Sequence, residues 1–278
     1  MKKKKTTIPG IIKWVIALIL VVMQVYPFFY VFTSSFKSLD DFRQLPAYAL
    51  PSKWVLTNFI NVFTKSHMLT YFKNSIILTA ATLFVSAIIG SMASYILAKY
   101  TFKGKSFVYI LFLAGMMIPI QTVIIPLAFT FGKLGIVDNL PVLVLLYSAF
   151  CLSMTVFIVT GYMKGLPDEL EEAAVMDGAG HGIIFFRIIL PLSMPAIASA
   201  SIFNFVSAWN NLLFPLVFIS KDSMKTISIG LLSFFGAYTS DYGAVMAAIG
   251  VSIIPPIIMY ILLQEKMEKG LTAGAVKG

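Results

Sequence analysis

Apolar residues along this chain gather into long runs, and short segments between the runs hold nearly all the charge. The first run covers residues 11–32 and is interrupted only by Lys13, whose long side chain can reach back to a polar boundary. The second covers 76–98 and the third 107–131. The third contains Pro119 and Pro126, which predict a kinked or broken helix in place of a straight rod. The fourth covers 141–162, the fifth 196–219 with Pro215 near its end, and the sixth 242–263. Each is close to the roughly twenty residues with which an α-helix crosses about 30 Å of hydrocarbon. None alternates with the strict two-residue period of a membrane barrel strand. The pattern therefore predicts an all-α integral membrane protein, one transmembrane domain of six helices spanning residues 1–278.

Composition sharpens this picture. The chain is 59% hydrophobic and 12% charged, where a soluble domain is about 25% charged, so lipid is the solvent for most of it. The opening Met1-Lys2-Lys3-Lys4-Lys5 resembles the start of a signal peptide, but the apolar stretch after it is too long and 33–37 offers no clear cleavage site. The first run is read as a retained helix. Lys and Arg set the orientation: thirteen fall on the side holding both termini and the loops after the second and fourth helices, and eight on the other. Both termini are expected to be cytoplasmic, in a multi-pass protein of the bacterial inner membrane. The net charge of +9 is spread along membrane flanks, with no basic stripe for nucleic acid. Cys151 lies within an apolar run and reads as a small packing residue.

Two loops stand out. Residues 33–73 face outward and hold Pro46, Pro51 and Trp54, which suggests a modest folded cap or an interfacial stretch, not a separate domain. The cytoplasmic loop 163–190 carries five of the twelve acidic residues, Asp168, Glu169, Glu171, Glu172 and Asp177. Pro167 with the carboxylates after it marks a helix start, and Gly178, Gly180 and Gly182 stop that helix before an apolar stretch and Pro191. A short surface helix at this place is where a soluble partner could bind.

Motifs for chemistry are missing. No phosphate-cradling Gly-x-x-x-x-Gly-Lys-Ser/Thr loop occurs, so ATP hydrolysis is not expected of this chain. The run Gly178-Ala179-Gly180-His181-Gly182 has Ile183 where a dinucleotide loop needs its third Gly. His67, His181 and Cys151 are too few and too scattered for a metal site, and the apolar runs hold no carboxylate for a proton relay. The chain is not read as an enzyme, and no metal or cofactor is expected in it. Uncharged polar stripes remain. Thr79, Thr82, Ser86, Gly90 and Ser94 share one face of the second helix, and small faces of this kind pack membrane helices together. In the fifth run Ser201, Asn204, Ser207 and Asn211 follow a helical spacing, with Asn210 at the edge. These groups either bond to neighbouring helices or line a wet path for a hydroxyl-rich solute.

Residues Glu172-Ala173-Ala174-Val175-Met176-Asp177-Gly178-Ala179, followed by Phe186, Ile189, Leu190-Pro191-Leu192 and Pro195, resemble the EAA loop of permease subunits in binding-protein-dependent ABC importers. The similarity runs along the chain, through Tyr26-Pro27, residues 35–37, 56–59, Asn74-Ser75 and Trp209-Asn210 to the tail 270–278, and the Trp-Asn pair and tail resemble the maltose-type carbohydrate branch. The resemblance implies a heteromeric importer: a second, homologous permease, two ATPase subunits carrying ATP and Mg, and an extracytoplasmic sugar-binding protein. It implies that Glu172, Ala173, Ala174, Asp177, Gly178 and Ala179 couple to the ATPase, while sugar passes by alternating access. Permeases for amino acids, peptides or polyamines carry related loops, and a non-transporting membrane scaffold is the reading outside the class. An anionic cargo would call for Lys or Arg within the bundle, and no apolar run has one in its middle, so a neutral solute fits better.

Overall fold

The computed structural model describes residues 10–64, 66–234 and 241–275, with side chains omitted at 10, 11, 233 and 266–275. Lys2 to Lys5, Lys65 and residues 276–278 lie outside the described residues, as do the side chains of Lys266 and Lys269, so that share of the lysine bias and of the tail has no structural counterpart.

Among the described residues every regular element is helical. In order they are α1 (Gly10–Ser34), α2 (Leu39–Gln44), α3 (Thr57–Thr64), α4 (Met68–Lys99), α5 (Lys105–Met117), α6 (Ile120–Lys133), α7 (Leu140–Met163) and α8 (Glu169–Met176). They continue with α9 (His181–Leu192, with a wider π-type turn over Phe185–Ile189), α10 (Met194–Trp209), α11 (Leu213–Phe218), α12 (Ile227–Phe234) and α13 (Tyr242–Ala275). Four are long and apolar enough to cross a membrane: α1, α4, α7 and α13. Two bent pairs, α5 with α6 at 96° and α9 with α10 at 71°, raise that to as many as six.

The expected third helix is thus two. Pro119 has no N–H to give to the preceding turn, and Ile118 and Pro119 are extended, so α5 ends at Met117 and α6 starts afresh at Ile120. The expected fifth helix also differs from one continuous span over 196–219. A helix running through Asn211 would set the Pro215 ring against the carbonyl of residue 211, so α10 ends at Trp209 and α11 begins at Leu213. The second helix starts eight residues earlier than the apolar run, at Met68, and the sixth continues to Ala275.

The described residues form two compact units. In the unit drawn from Met1–Met68 and Leu231–Ser252, residues 33–64 fold into the expected cap. Ser38 and Asp41 close a capping box at the start of α2, each side chain accepting the other's backbone N–H at 3.1 Å, and the Ser52 hydroxyl donates to the same Asp41. Asn58 donates from its amide to the carbonyls of Ser35 and Lys37 at 2.8 and 2.9 Å, while the buried Lys37 ammonium donates to the Ala47 carbonyl at 3.0 Å. Side chains of α1 from Ile12 to Phe29 are all exposed.

In the unit drawn from Leu69–Gly230 and Ile253–Gly278, α7 is the central strut. The α4 stripe of Thr79, Thr82, Ser86, Gly90 and Ser94 is buried, and Gly90 lies so close to α7 that a Cβ there would meet the Thr155 methyl at 2.5 Å. Gly115 of α5 meets Ser153 in the same way. Glycine is needed at both places to let backbones approach, which is the packing role expected of the α4 stripe.

Candidate functional site

The elbow between α5 and α6 leaves room against α7 and α10, and a cavity of about 290 Å³ opens there. Its walls come from Gly115, Met116, Ile118 and Ile120 at the elbow, Phe150, Cys151 and Met154 on α7, and Phe203, Asn204, Ser207 and Asn211. No lining residue is charged. Three of the five residues proposed from sequence for a solute path therefore come together, while Ser201 and Asn210 are not among the lining residues.

The polar three are held differently. Asn204 is buried and donates from its amide to the Thr155 hydroxyl at 2.8 Å, and that hydroxyl donates to the Cys151 carbonyl at 3.0 Å. It bonds to a neighbouring helix and lines the cavity at once. Asn211 is not on the helix that carries Asn204. It lies in the break, where its side-chain oxygen accepts the Phe214 N–H at 3.1 Å and caps the first turn of α11. The helical spacing that pointed to Asn211 thus fails, although the residue reaches the same cavity. Ser207 is exposed to it. Thr155 and the apolar walls Met116, Phe150 and Phe203 were missed from sequence, because a hydroxyl or aromatic inside an apolar run carries no signal of its own.

A second group lies at the far end of the same unit. α8 is a two-turn helix, and its end is closed by a Schellman turn: Ala179 N–H donates to the Ala174 carbonyl and Gly178 N–H to the Val175 carbonyl, both at 2.9 Å. Gly178 takes φ +80°, and a Cβ there would find nothing within 4 Å. The left-handed conformation, not crowding, is what asks for glycine. Of the residues singled out from the EAA-like stretch, Glu172, Ala173, Asp177 and Gly178 are exposed, Ala179 is half-buried and Ala174 is buried. Ala174 sits in an apolar cluster with Tyr95, Val159, Met163, Ile184, Phe185 and Ile189. Val175, Met176, Ile183 and Phe186 are apolar and exposed, with Asp177 exposed beside Met176 and Arg187 exposed beside Phe186.

The helix start expected at Pro167 comes at Glu169, with Asp168 as the residue before it and no cap made by the Asp168 side chain. The Asp168 carboxylate instead accepts from the Lys99 ammonium at the end of α4, at 2.6 Å, and the same ammonium donates to the Leu166 carbonyl at 2.6 Å. Tyr95 donates to Glu171 at 2.7 Å, and Tyr100 pairs with His181 Nδ1 at 2.8 Å. Lys99 had counted from sequence only toward the positive flank, and nothing linear relates it to residue 168.

Outside the long apolar helices two carboxyls are held below the usual carboxylate range. For Asp41 the hydroxyl bond from Ser52 does most, with Ser38 adding to it. For Asp138, which has φ +54° in the α6–α7 turn, the backbone N–H of Lys221 and then that of Ser220 do so, at 2.9 and 2.6 Å, pinning the segment after α11.

Residues 88–273 match the sequence model of the family described as binding-protein-dependent transport system inner membrane component. The chain is 33% identical to the arabinooligosaccharides transport system permease protein AraQ of Halalkalibacterium halodurans, over 99% of this chain and 100% of that one. It is 34% identical to the trehalose/maltose transport system permease protein MalG of Thermococcus litoralis, covering 94% and 95% of the two chains. It is 33% identical to the diacetylchitobiose uptake system permease protein NgcG of Streptomyces coelicolor, covering 92% and 85%. In fold it resembles a chain in the crystal structure of a bacterial ABC transporter involved in the import of the acidic polysaccharide alginate, with a TM-score of 0.81, 23% identity, and coverage of 96% and 99%.

Proposed function

Because the chain belongs to the inner membrane components of binding-protein-dependent transport systems, we propose that it is the permease subunit of an ATP-driven importer for a sugar or short oligosaccharide. The observation that carries the cargo class is the near full-length match to permeases named for arabinooligosaccharides, trehalose/maltose and diacetylchitobiose. The cavity agrees with it. Uncharged amides and a hydroxyl beside aromatic walls suit a neutral polyol, which offers hydrogen bonds and an apolar ring face together. At about 290 Å³ the cavity is at the small end of ligand sites, roughly 300–1,000 Å³, and fits one sugar unit better than a chain of them.

In this reading the chain crosses the inner membrane six times, α5 with α6 forming one interrupted span and the bent α9–α10 pair leading into α11 the other, and both termini are cytoplasmic. α8 and the turn at Gly178 dock on an ATPase subunit. Exposed apolar side chains on a helix that also exposes Glu169 and Glu172 suit a protein groove with a basic rim, and the closing of that groove on ATP would be passed to the membrane helices. A second permease, two ATPase subunits with ATP and Mg, and an extracytoplasmic sugar-binding protein complete the importer. This subunit performs no chemistry of its own.

Reconstitution of the chain with its candidate partners in vesicles tests the reading. A screened sugar should stimulate ATP hydrolysis and accumulate inside. An assembled complex stimulated by an amino acid or peptide, and by no sugar, would overturn the cargo assignment.

A further inference from the structure

We propose that Lys99, with Tyr95 one turn before it, is the positioning residue that fixes the Glu169–Met176 helix to the end of α4, so that the two move together. The functional meaning of this rests on the ATPase-docking role given to α8 above, but the geometry does not.

A helix of eight residues is too short to hold its own shape in water. The apolar grip on α8 is slight, since Ala174 alone is buried while Leu170, Val175 and Met176 are exposed. Polar contacts must therefore set its place, and they converge on α4. The Lys99 side chain is only 6% exposed, so its ammonium is not free to wander. It bonds to Asp168 Oδ1 and the Leu166 carbonyl, and it lies 3.9 Å from Glu171 Oε1. The other Glu171 oxygen accepts from Tyr95, whose ring is locked in the apolar cluster against Phe185 and Tyr100 at 5.4 Å from each.

The two carboxylates do not count equally. Asp168 is 79% exposed, so water can replace what it gains from Lys99, and that pair is worth little despite its short distance. Glu171 is 18% exposed and its Oε1 is buried without a hydrogen-bond partner, so the ammonium is the compensation for that charge. Removing the ammonium would leave a buried carboxylate that can be solvated only if α8 lifts away from α4.

The test is hydrogen exchange on the full chain in lipid nanodiscs, with no partner present. Lys99→Met keeps the stem and removes the charge. Amides of 169–177 should exchange at least about tenfold faster, the scale of one orphaned buried group, while the interior of α7 keeps the parental rate. Adding Glu171→Gln removes the orphaned charge and should bring 169–177 most of the way back, which a mere packing role for Lys99 would not produce. Parental exchange in Lys99→Met, or no recovery in the double variant, overturns the proposal. Tyr95→Phe keeps the ring and deletes one hydroxyl, so a smaller acceleration at the same amides is expected. Should Lys99→Met fail to reach the membrane, that variant decides the matter, and parental exchange in it refutes the proposal. Failure of the parental chain to retain an ATPase subunit would count against the docking role and leave the positioning role standing.

Discussion

Replacing Gly178 separates what a backbone conformation contributes from what a surface contributes. At φ +80° any side chain meets its own carbonyl, a cost of about 1 to 2 kcal/mol, and because no atom lies within 4 Å of the position of a Cβ, that cost is the whole local penalty for alanine. One or two kcal/mol is roughly a 5- to 30-fold shift in the balance between a closed and an opened Schellman turn. Asparagine tolerates the left-handed region and should lose least, alanine should show the full backbone cost, and leucine should add bulk on the exposed face that α8 offers to its partner. The assay is co-purification of the ATPase subunit and sugar uptake at matched membrane levels of variant and parent. Expected is the order parent, Asn, Ala, Leu, with Leu well below Ala and insertion unchanged in all. If Leu and Ala are equally impaired, the contact surface is not at Gly178 and only the turn matters. Full association and full uptake with Leu would refute the coupling role altogether.

Gly90→Val should lower the yield of folded protein by more than any change at Gly178, because its Cβ would overlap Thr155 between two packed helices; overpacking of this kind costs about 1 to 3 kcal/mol and is read by thermal unfolding in detergent. Ser207→Leu fills part of the cavity without removing a hydrogen-bond partner and should reduce uptake at unchanged melting temperature, whereas Asn204→Leu, which strips Thr155 of its donor, should reduce uptake and also stability, the latter by about 1 kcal/mol; equal melting of the two variants would contradict the assignment. In the cap, the depressed Asp41 carboxyl stabilises the fold fully above its unfolded value near the ordinary carboxylate range, and that contribution is lost as pH falls through the lower folded value. Trp54 fluorescence should therefore report loosening only in acid, and Asp41→Asn should abolish that dependence.

Elements governed by runs of apolar residues were legible from sequence, and elements governed by contacts between runs were not. Lengths near twenty residues located the starts of α1, α7 and α13 to within a residue or two, because the thickness of a bilayer is a one-dimensional constraint. Pro119 and Pro126 were both read as marks of a kink or break, yet the break came at Pro119 alone while Pro126 lies inside α6, and the 96° angle depends on what α7 presents to the elbow. Pro215 was seen as a mark near a helix end, and the end came at Trp209, six residues earlier, because a proline acts on the carbonyl a turn before it. Gly178 could be placed by its position after a helix-forming stretch. Lys99 and Tyr95 could not be assigned to Glu171, since residues about seventy-five apart are joined only by the fold.

The elbow itself has an electrical character. At about 1.5 Å per residue α5 and α6 are each roughly 20 Å long, short of the about 30 Å of hydrocarbon, so neither spans it alone. A helix end carries about half a negative charge on its last carbonyls and a helix start about half a positive one on its first N–H groups, and Met116, Ile118 and Ile120 from these two ends border the cavity. The two nearly cancel as charges while remaining as separate arrays of acceptors and donors. If the proposed solute path runs through this cavity, a solute that needs acceptors and donors together should meet both, whereas an ion of either sign should find one end opposing the other. On the proposed reading of this cavity as part of the solute path, discrimination against charge is expected of the backbone at the elbow between α5 and α6, so replacing the lining side chains should change which neutral solute fits without admitting an ion.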